Sequence, residues 1–247
     1  MRVLAIETAT PVAGAALVDA GGVLAARTVR APMRHLEWLA AAVDGLLRDA
    51  GTGPDGVEAV AVGRGPGGFT GLRIGIATAA AWARARRVPV LGVPTLEVLA
   101  ASASASGLVF AVLDAHRGEV AAALYRLGQD AEPVCLVPAV VAAPDAAVAE
   151  IRLVLEGERA LHRPLVVAGD GLARHADALR AALGGAGARQ IVERPDAYPS
   201  AETAGRLARP RLLRGARDLP AGLLPVYGRR PAVRLWQESP APPGSVK

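Results

Sequence analysis

The chain runs through the same order of elements twice, once on each side of the small polar stretch "ASASASG" (101–107). Before it, "RVLAIET", "AGAALVDA" and "GVLAARTV" read as strands, separated by "ATPV" and "GG", which have turn chemistry. Apolar spacing predicts a helix over "HLEWLAAAVDGLLRDAG", ended by Gly51. A buried strand "VEAVAVG", a glycine-rich loop, a helix from about Leu72 to Arg86 and a short strand "VPVLGV" follow. After the stretch, "LVFAVLDA", "EVAAALYRL" and "EPVCLVPAV" are strands, "PDAAVAEIRLVLEG" a helix, "RPLVVAGDG" a strand and "LARHADALRAALGG" a helix. A β-β-β-α-β-α unit used twice restricts the chain to an α/β fold of two similar subdomains. They are expected over 1–103 and 104–234, the last segment packing back on the first unit, with a disordered tail at 235–247.

That order describes the duplicated actin/hexokinase/Hsp70-type (ASKHA, ribonuclease H-like) architecture. At 247 residues the chain can bury a sizeable core; it is 52% hydrophobic but only 3% aromatic, so the core is built from Ala, Val, Leu and Ile. The single cysteine, Cys135 in "PVCLV", makes an internal disulfide impossible and is expected to be a buried packing residue. The only lysine is Lys247, which argues against lysine chemistry. "MRVLAIETAT" reaches Glu7 before any leader-like apolar run, and the longest uncharged stretch, Val98 to Leu113, is shorter than the ~20 residues of a membrane span. A cytoplasmic protein without a membrane role is expected.

The loop "VGRGPGGFTGLRIG" (62–75) raises the question of phosphate binding. Gly63, Gly65 and Gly68 satisfy G-x-G-x-x-G between a strand and a helix. The acid that a dinucleotide fold needs at the end of the next strand is missing; the first acid after the loop is Glu97. Phe69 and Thr70 stand where a P-loop needs Lys-Ser/Thr. The loop is therefore read as structural. Gly65, Pro66, Gly67 and Gly68 shape a turn, Thr70 caps the following helix, and Gly71 lies in its first turn. Free amides at the helix start leave weak anion binding open.

"GRGPGGFTGLRIG" closely resembles the signature of the TsaB (YeaZ) family. "RVLAIETAT", "HLEWL" (35–39), "GVPTLEVLA" (92–100), "LDAHRGEVAAALY" (113–125) and "PVYGRRPAV" (225–233) extend the resemblance from residue 2 to about 234. It departs at Gly228, where the family pattern has leucine. The resemblance implies a non-catalytic subunit of the machinery that places a threonylcarbamoyl group on adenosine 37 of tRNAs reading codons that begin with A. It implies a heterodimer with the catalytic subunit TsaD, an ATPase subunit TsaE in the ternary complex, tRNA met through the complex, and a homodimer of the chain alone. It implies no cofactor or metal in this chain.

The residues point the same way. The nucleotide-gripping hairpins of kinases of this architecture are degraded here: "ETATPVAGA" has Glu7 and no glycine directly after it, "DAHRGE" has Asp114 but only Gly118, and Asp170 interrupts "AGDG". The histidines, His35, His116, His162 and His175, include no i, i+4 pair for a metal. Asp114, His116 and Glu119 can be read as acid–base groups or as turn formers. The alternative function is an ATP- or metal-dependent kinase or peptidase on the same fold.

Two surfaces are candidates for partners. In the helix at 35–50, Leu36, Leu39, Ala40, Val43, Leu46 and Leu47 make a core stripe, and Trp38, Ala41, Ala42 and Gly45 a second, nearly uncharged face. The next helix is apolar nearly all round until Arg84. Either both are sandwiched in their own domain or one face meets a partner. The resemblance implies the latter, through those four residues together with Phe69, Leu72, Ile74, Gly75, Thr78, Ala79 and Trp82. Gly75 and Ala79, one turn apart, would admit a second helix, so arginine at either is expected to abolish the complex and spare the monomer. Residues 201–247 carry nine basic and three acidic side chains. Arg206, Arg209, Arg211, Arg214, Arg229, Arg230 and Arg234 form a solvated face, a tRNA contact or a match for an acidic partner.

Overall fold

The computed structural model describes residues 1–30, 35–128, 132–157, 164–184 and 190–228. The first sheet holds β1 (Val3–Glu7), β2 (Val12–Asp19), β3 (Gly22–Arg30), β4 (Ala59–Gly63) and β5 (Val90–Val93), in the order β3-β2-β1-β4-β5. β1 to β3 form an antiparallel meander, and β4 and β5 add in parallel after the crossover helices α1 (His35–Asp49) and α2 (Phe69–Arg86). Helix α3 (Thr95–Ala103) ends the first unit.

The second sheet repeats the plan. β6 (Gly107–Asp114), β7 (Val120–Leu127), β8 (Val134–Ala142), β9 (Leu165–Ala168) and β10 (Ile191–Arg194) lie in the order β10-β9-β6-β7-β8, with crossovers α4 (Pro144–Gly157) and α5 (Asp170–Leu183). Helix α6 (Ala201–Leu213) follows. The duplicated actin-like architecture is thus present. The short edge strand β10 and the helices α3 and α6 extend each unit beyond the expected β-β-β-α-β-α.

Strand residues alternate between faces. Leu4, Ile6, Val60 and Val62 pack with Leu39, Val43, Leu46 and Ile76 of α1 and α2. Val3, Ala5, Ala59 and Ala61 pack with Ala201, Ala204 and Ala208 of α6 on the other side. Both faces are covered, so these strands read as continuous apolar runs rather than alternating ones. Each unit's last helix crosses to the other half. Leu96, Leu99 and Ala100 of α3 pack with Val109, Ala111 and Leu113 of the second sheet, while α6 lies on the first sheet. Gly205 makes that approach close, because a Cβ there would meet Val18 and Ala5.

Three local expectations are corrected. Helix α2 begins at Phe69, and its N-cap is Gly68 with no side-chain cap; Thr70 is exposed inside the first turn. Cys135 is exposed near the start of the edge strand β8, where its neighbour Val134 is exposed as well. Ala40 is exposed rather than part of the α1 core stripe. The tail 235–247, Arg229, Arg230, Arg234, His162 and the side chains of His35 and Leu36 lie outside the described residues. Among the described residues no helix is long and apolar enough to cross a membrane.

Candidate functional site

The glycine loop leaves β4 and enters α2, and three of its amides are bonded within the chain. Arg64 N–H donates to the Val93 carbonyl (2.9 Å), Gly65 N–H to Thr95 Oγ1 (3.0 Å) and Gly68 N–H to the Ala9 carbonyl (2.7 Å). A phosphate cradle needs such donors free and convergent. The glycines are required sterically. Gly65 has φ +103°, and a Cβ on it would strike the Val226 carbonyl; one on Gly67 would strike the Ala9 carbonyl. A Cβ on Gly63 would overlap the Glu7 carboxyl group.

Glu7 stands at the end of β1, fully buried. Oε1 accepts from the Ala9 amide (2.8 Å), and Oε2 has no partner. Burial raises its pKa to about 7, against a lowering by the Ala9 and Thr8 amides. An acid here places negative charge beside the glycine loop whenever it ionises, which opposes a phosphate.

The second unit fills the equivalent place with Asp114 at the end of β6 and Asp170 at the start of α5. The Asp114 carboxylate accepts from the His116 amide (3.0 Å) and Arg174 Nε (3.2 Å), and lies 3.1 Å from His116 Nδ1 and 3.3 Å from His175 Nε2. Burial would raise Asp114, but the His116 amide, the His175 ring and the His116 and Arg174 charges hold it below the usual range. Asp170 accepts from the Asp114 amide (3.0 Å) and is pushed up, by burial and by the Asp114 charge. His116 and Arg117 adopt positive φ (61° and 56°) at the tip of this hairpin, and the Glu119 amide closes it on the His116 carbonyl. Among the described residues no three His, Cys, Asp or Glu side chains are placed to hold a metal.

The two helices sort the expected interface residues by periodicity. Leu72, Gly75, Ile76, Ala79 and Ala83 face the sheet. Gly75 sits on β1 so closely that a Cβ would overlap Thr8 Oγ1, and Ala79 is wholly buried in the core. The expectation that these two admit a partner helix is therefore corrected: their small size serves a helix-on-strand contact. Ala42 is buried as well. Phe69, Arg73, Ala77, Ala81 and Arg84 of α2, with Ala41 of α1, face outward. Trp38, Ile74 and Trp82 are partly buried, packed against the rim of the core, and Gly45 and Thr78 are half-buried.

A strap at 218–228 completes this surface. Asp218 N–H donates to the Val90 carbonyl (2.8 Å), and the Asp218 carboxylate accepts from the Gly92 amide (2.7 Å). Leu223 is buried in the core, and Val226 N–H donates to the Arg64 carbonyl (2.7 Å). Tyr227 stacks on Phe69 (5.2 Å between centroids) and accepts from Arg73 Nε (3.0 Å), while the Arg73 guanidinium lies 3.8 Å from the Phe69 ring centroid. A groove of about 570 Å³ runs between α2 and the strap, lined by Arg73, Ala77, Ala80, Pro220 and Leu224 among others. Gly228 has φ +68°, and a Cβ would press on Val141, so leucine would not fit this backbone.

Comparison with known proteins decides the family. The chain is 30% identical to YeaZ from Pseudomonas aeruginosa, with a TM-score of 0.75, over 92% of this chain and 99% of that one. The chain belongs to the TsaB (YeaZ) family. Residues 15–200 also match the family model described as TsaD, tRNA N6-adenosine threonylcarbamoyltransferase. Curated relatives named tRNA threonylcarbamoyladenosine biosynthesis protein TsaB are 39% identical in Escherichia coli and 35% in Bacillus subtilis, each match covering 51% of this chain. The matches cover 55% and 56% of those relatives, so the chain spans about half the length of the curated relatives it matches.

In this TsaB-family chain four of the described C-terminal arginines are engaged with groups of the chain itself, although Arg206 and Arg214 stay exposed. Arg211 holds both oxygens of Glu97 and donates through Nε to Glu132 (3.0 Å); Arg214 also pairs with Glu132. Arg209 donates to the Met1 carbonyl (3.1 Å) and Arg206 to Thr203 Oγ1 (3.0 Å). A free basic face is not what these four form.

Proposed function

We propose that this chain is a non-catalytic subunit of the complex that transfers a threonylcarbamoyl group to adenosine 37 of tRNAs reading codons that begin with A. The observation that carries the reading is the internal use of the elements that would grip a nucleotide. Three loop amides are bonded within the chain, and the Glu7 and Asp114 carboxyl groups at the end of the first strand of each half are engaged by amides and side chains of the chain itself. A shared family with a threonylcarbamoyltransferase supports a subunit that keeps the architecture and leaves the chemistry to a TsaD partner. TsaE joins that pair in the cytoplasm, tRNA meets the assembly, and the chain alone forms a homodimer.

The partner surface is the outward side of α1 and α2 with the strap: Ala41, Phe69, Ala77, Ala81, Tyr227 and the edges of Trp38, Ile74, Thr78 and Trp82. Ala77→Arg and Ala81→Arg place a charged chain on exposed positions. Surface changes of this kind alter stability by about 0.5 kcal/mol or less. Charge and bulk in the middle of an interface weaken association by roughly tenfold to a hundredfold. Titration calorimetry against TsaD, beside urea unfolding of the chain alone, reads both. Full affinity in both variants moves the interface elsewhere. ATP turnover by the pure chain, at a rate that survives further purification, overturns the non-catalytic reading.

A further inference from the structure

The end of β1, the residues that follow it and the glycine loop are interlocked by a short relay. Glu7 Oε1 accepts from the Ala9 amide (2.8 Å), and the Ala9 carbonyl accepts from the Gly68 amide (2.7 Å). Thr8 Oγ1 donates to the Gly71 carbonyl (2.8 Å) in the first turn of α2. The close fits at Gly63, Gly67 and Gly75 leave Glu7, Ala9 and Thr8 no slack. At the head of the relay, Glu7 Oε2 is buried without a partner. The Ala9 and Thr8 amides favour the ionised form, but burial outweighs them: a neutral carboxyl group tolerates that place, and a carboxylate there is desolvated with one oxygen unbonded.

We propose that Glu7 is a proton-operated latch, closed when its carboxyl group is neutral and loosened when it ionises, that sets the order of the glycine loop and the start of α2. The device belongs to the isolated chain and goes beyond the subunit role.

Among the described residues no charged group contributes to the shift; α6 starts with Ala201 against Gly14, the residue opposite Glu7, and carries the acid Glu202 in its first turn. β2 opposes Glu7 with Gly14, β4 with Gly63, and the following turn with Thr8 and Ala9. Asp19 lies at the far end of β2. Arg64 after β4 is turned onto Gly92, and Arg73 of α2 lies over Phe69. Burial is the leading cause of the raised pKa of about 7. The sign follows from a folded pKa above the unfolded one near 4.5. Stabilisation of the closed latch is full below the unfolded value, falls as pH rises from there to about 7, and levels off above.

Amide hydrogen exchange of the wild-type chain by NMR, corrected for intrinsic rates, tests this at Ala9 and Gly68. Protection there is expected to fall roughly 30-fold between about pH 5.5 and pH 8. In Glu7→Gln it is expected to be the same at both pH values; Glu7→Met takes its place should the amide not fold. Equal wild-type protection at both pH values overturns the latch. So does a pH dependence that persists in the variant, or a fall shared equally by β6 and β7, which would mean that the proton acts on the whole fold.

Discussion

Gly75→Arg is expected to unfold the chain, not merely to part it from a binding partner. Position 75 has no room even for a Cβ, because Thr8 Oγ1 occupies that space and donates to the Gly71 carbonyl. An arginine there must force α2 off β1 or bury an unpaired guanidinium. Either change belongs to the rare class above about 4–5 kcal/mol, against a total stability of about 5–15 kcal/mol for a domain. Ala79→Arg is expected to match it, since Ala79 lies in the core with Leu4 and Val60. Gly75→Ala gains up to about 1 kcal/mol of helix propensity but displaces Thr8, for a net loss of about 1–3 kcal/mol. Urea unfolding of these variants beside Ala81→Arg, which is exposed, gives the contrast directly. A folded Gly75→Arg of ordinary stability would mean that α2 presents another face to the sheet.

Arg211→Met is expected to cost about 3–5 kcal/mol, since it leaves the buried Glu97 carboxylate without its bidentate partner. The pair joins α6 to α3, and the Nε bond to Glu132 adds the strand β8 side, so the loss is shared by both halves. Glu97→Gln in the same chain is expected to restore most of it, because the stranded charge is gone. Chemical denaturation of the two single variants and the double variant closes the cycle. Equal, additive losses would show that the pair contributes nothing as a pair.

Local chemistry made much of this molecule readable. Strand–turn–strand spacing located β1 to β3 and β6 to β8, and the missing lysine and ribose acid set the glycine loop apart from nucleotide loops. Other features needed three dimensions. Small residues one turn apart, such as Gly75 and Ala79, look the same whether the close neighbour is a partner helix or the chain's own strand. Arg211 and Glu97 are far apart in sequence, so an arginine-rich segment looks free until its partners are folded beside it. Cys135 is exposed because it lies near the start of an edge strand, a position that its apolar neighbours do not announce. β10 is short and lies at an edge, where packing selects for little apolar character. The strap was visible as a motif, but its contacts with Phe69, Arg73 and Arg64 depend on the fold.

Light scattering of this chain mixed with TsaD from the same organism, beside each protein alone, tests the account most directly. A one-to-one heterodimer that replaces the species formed by this chain alone is expected. Two proteins that elute separately at micromolar concentration, with unchanged masses, would contradict it.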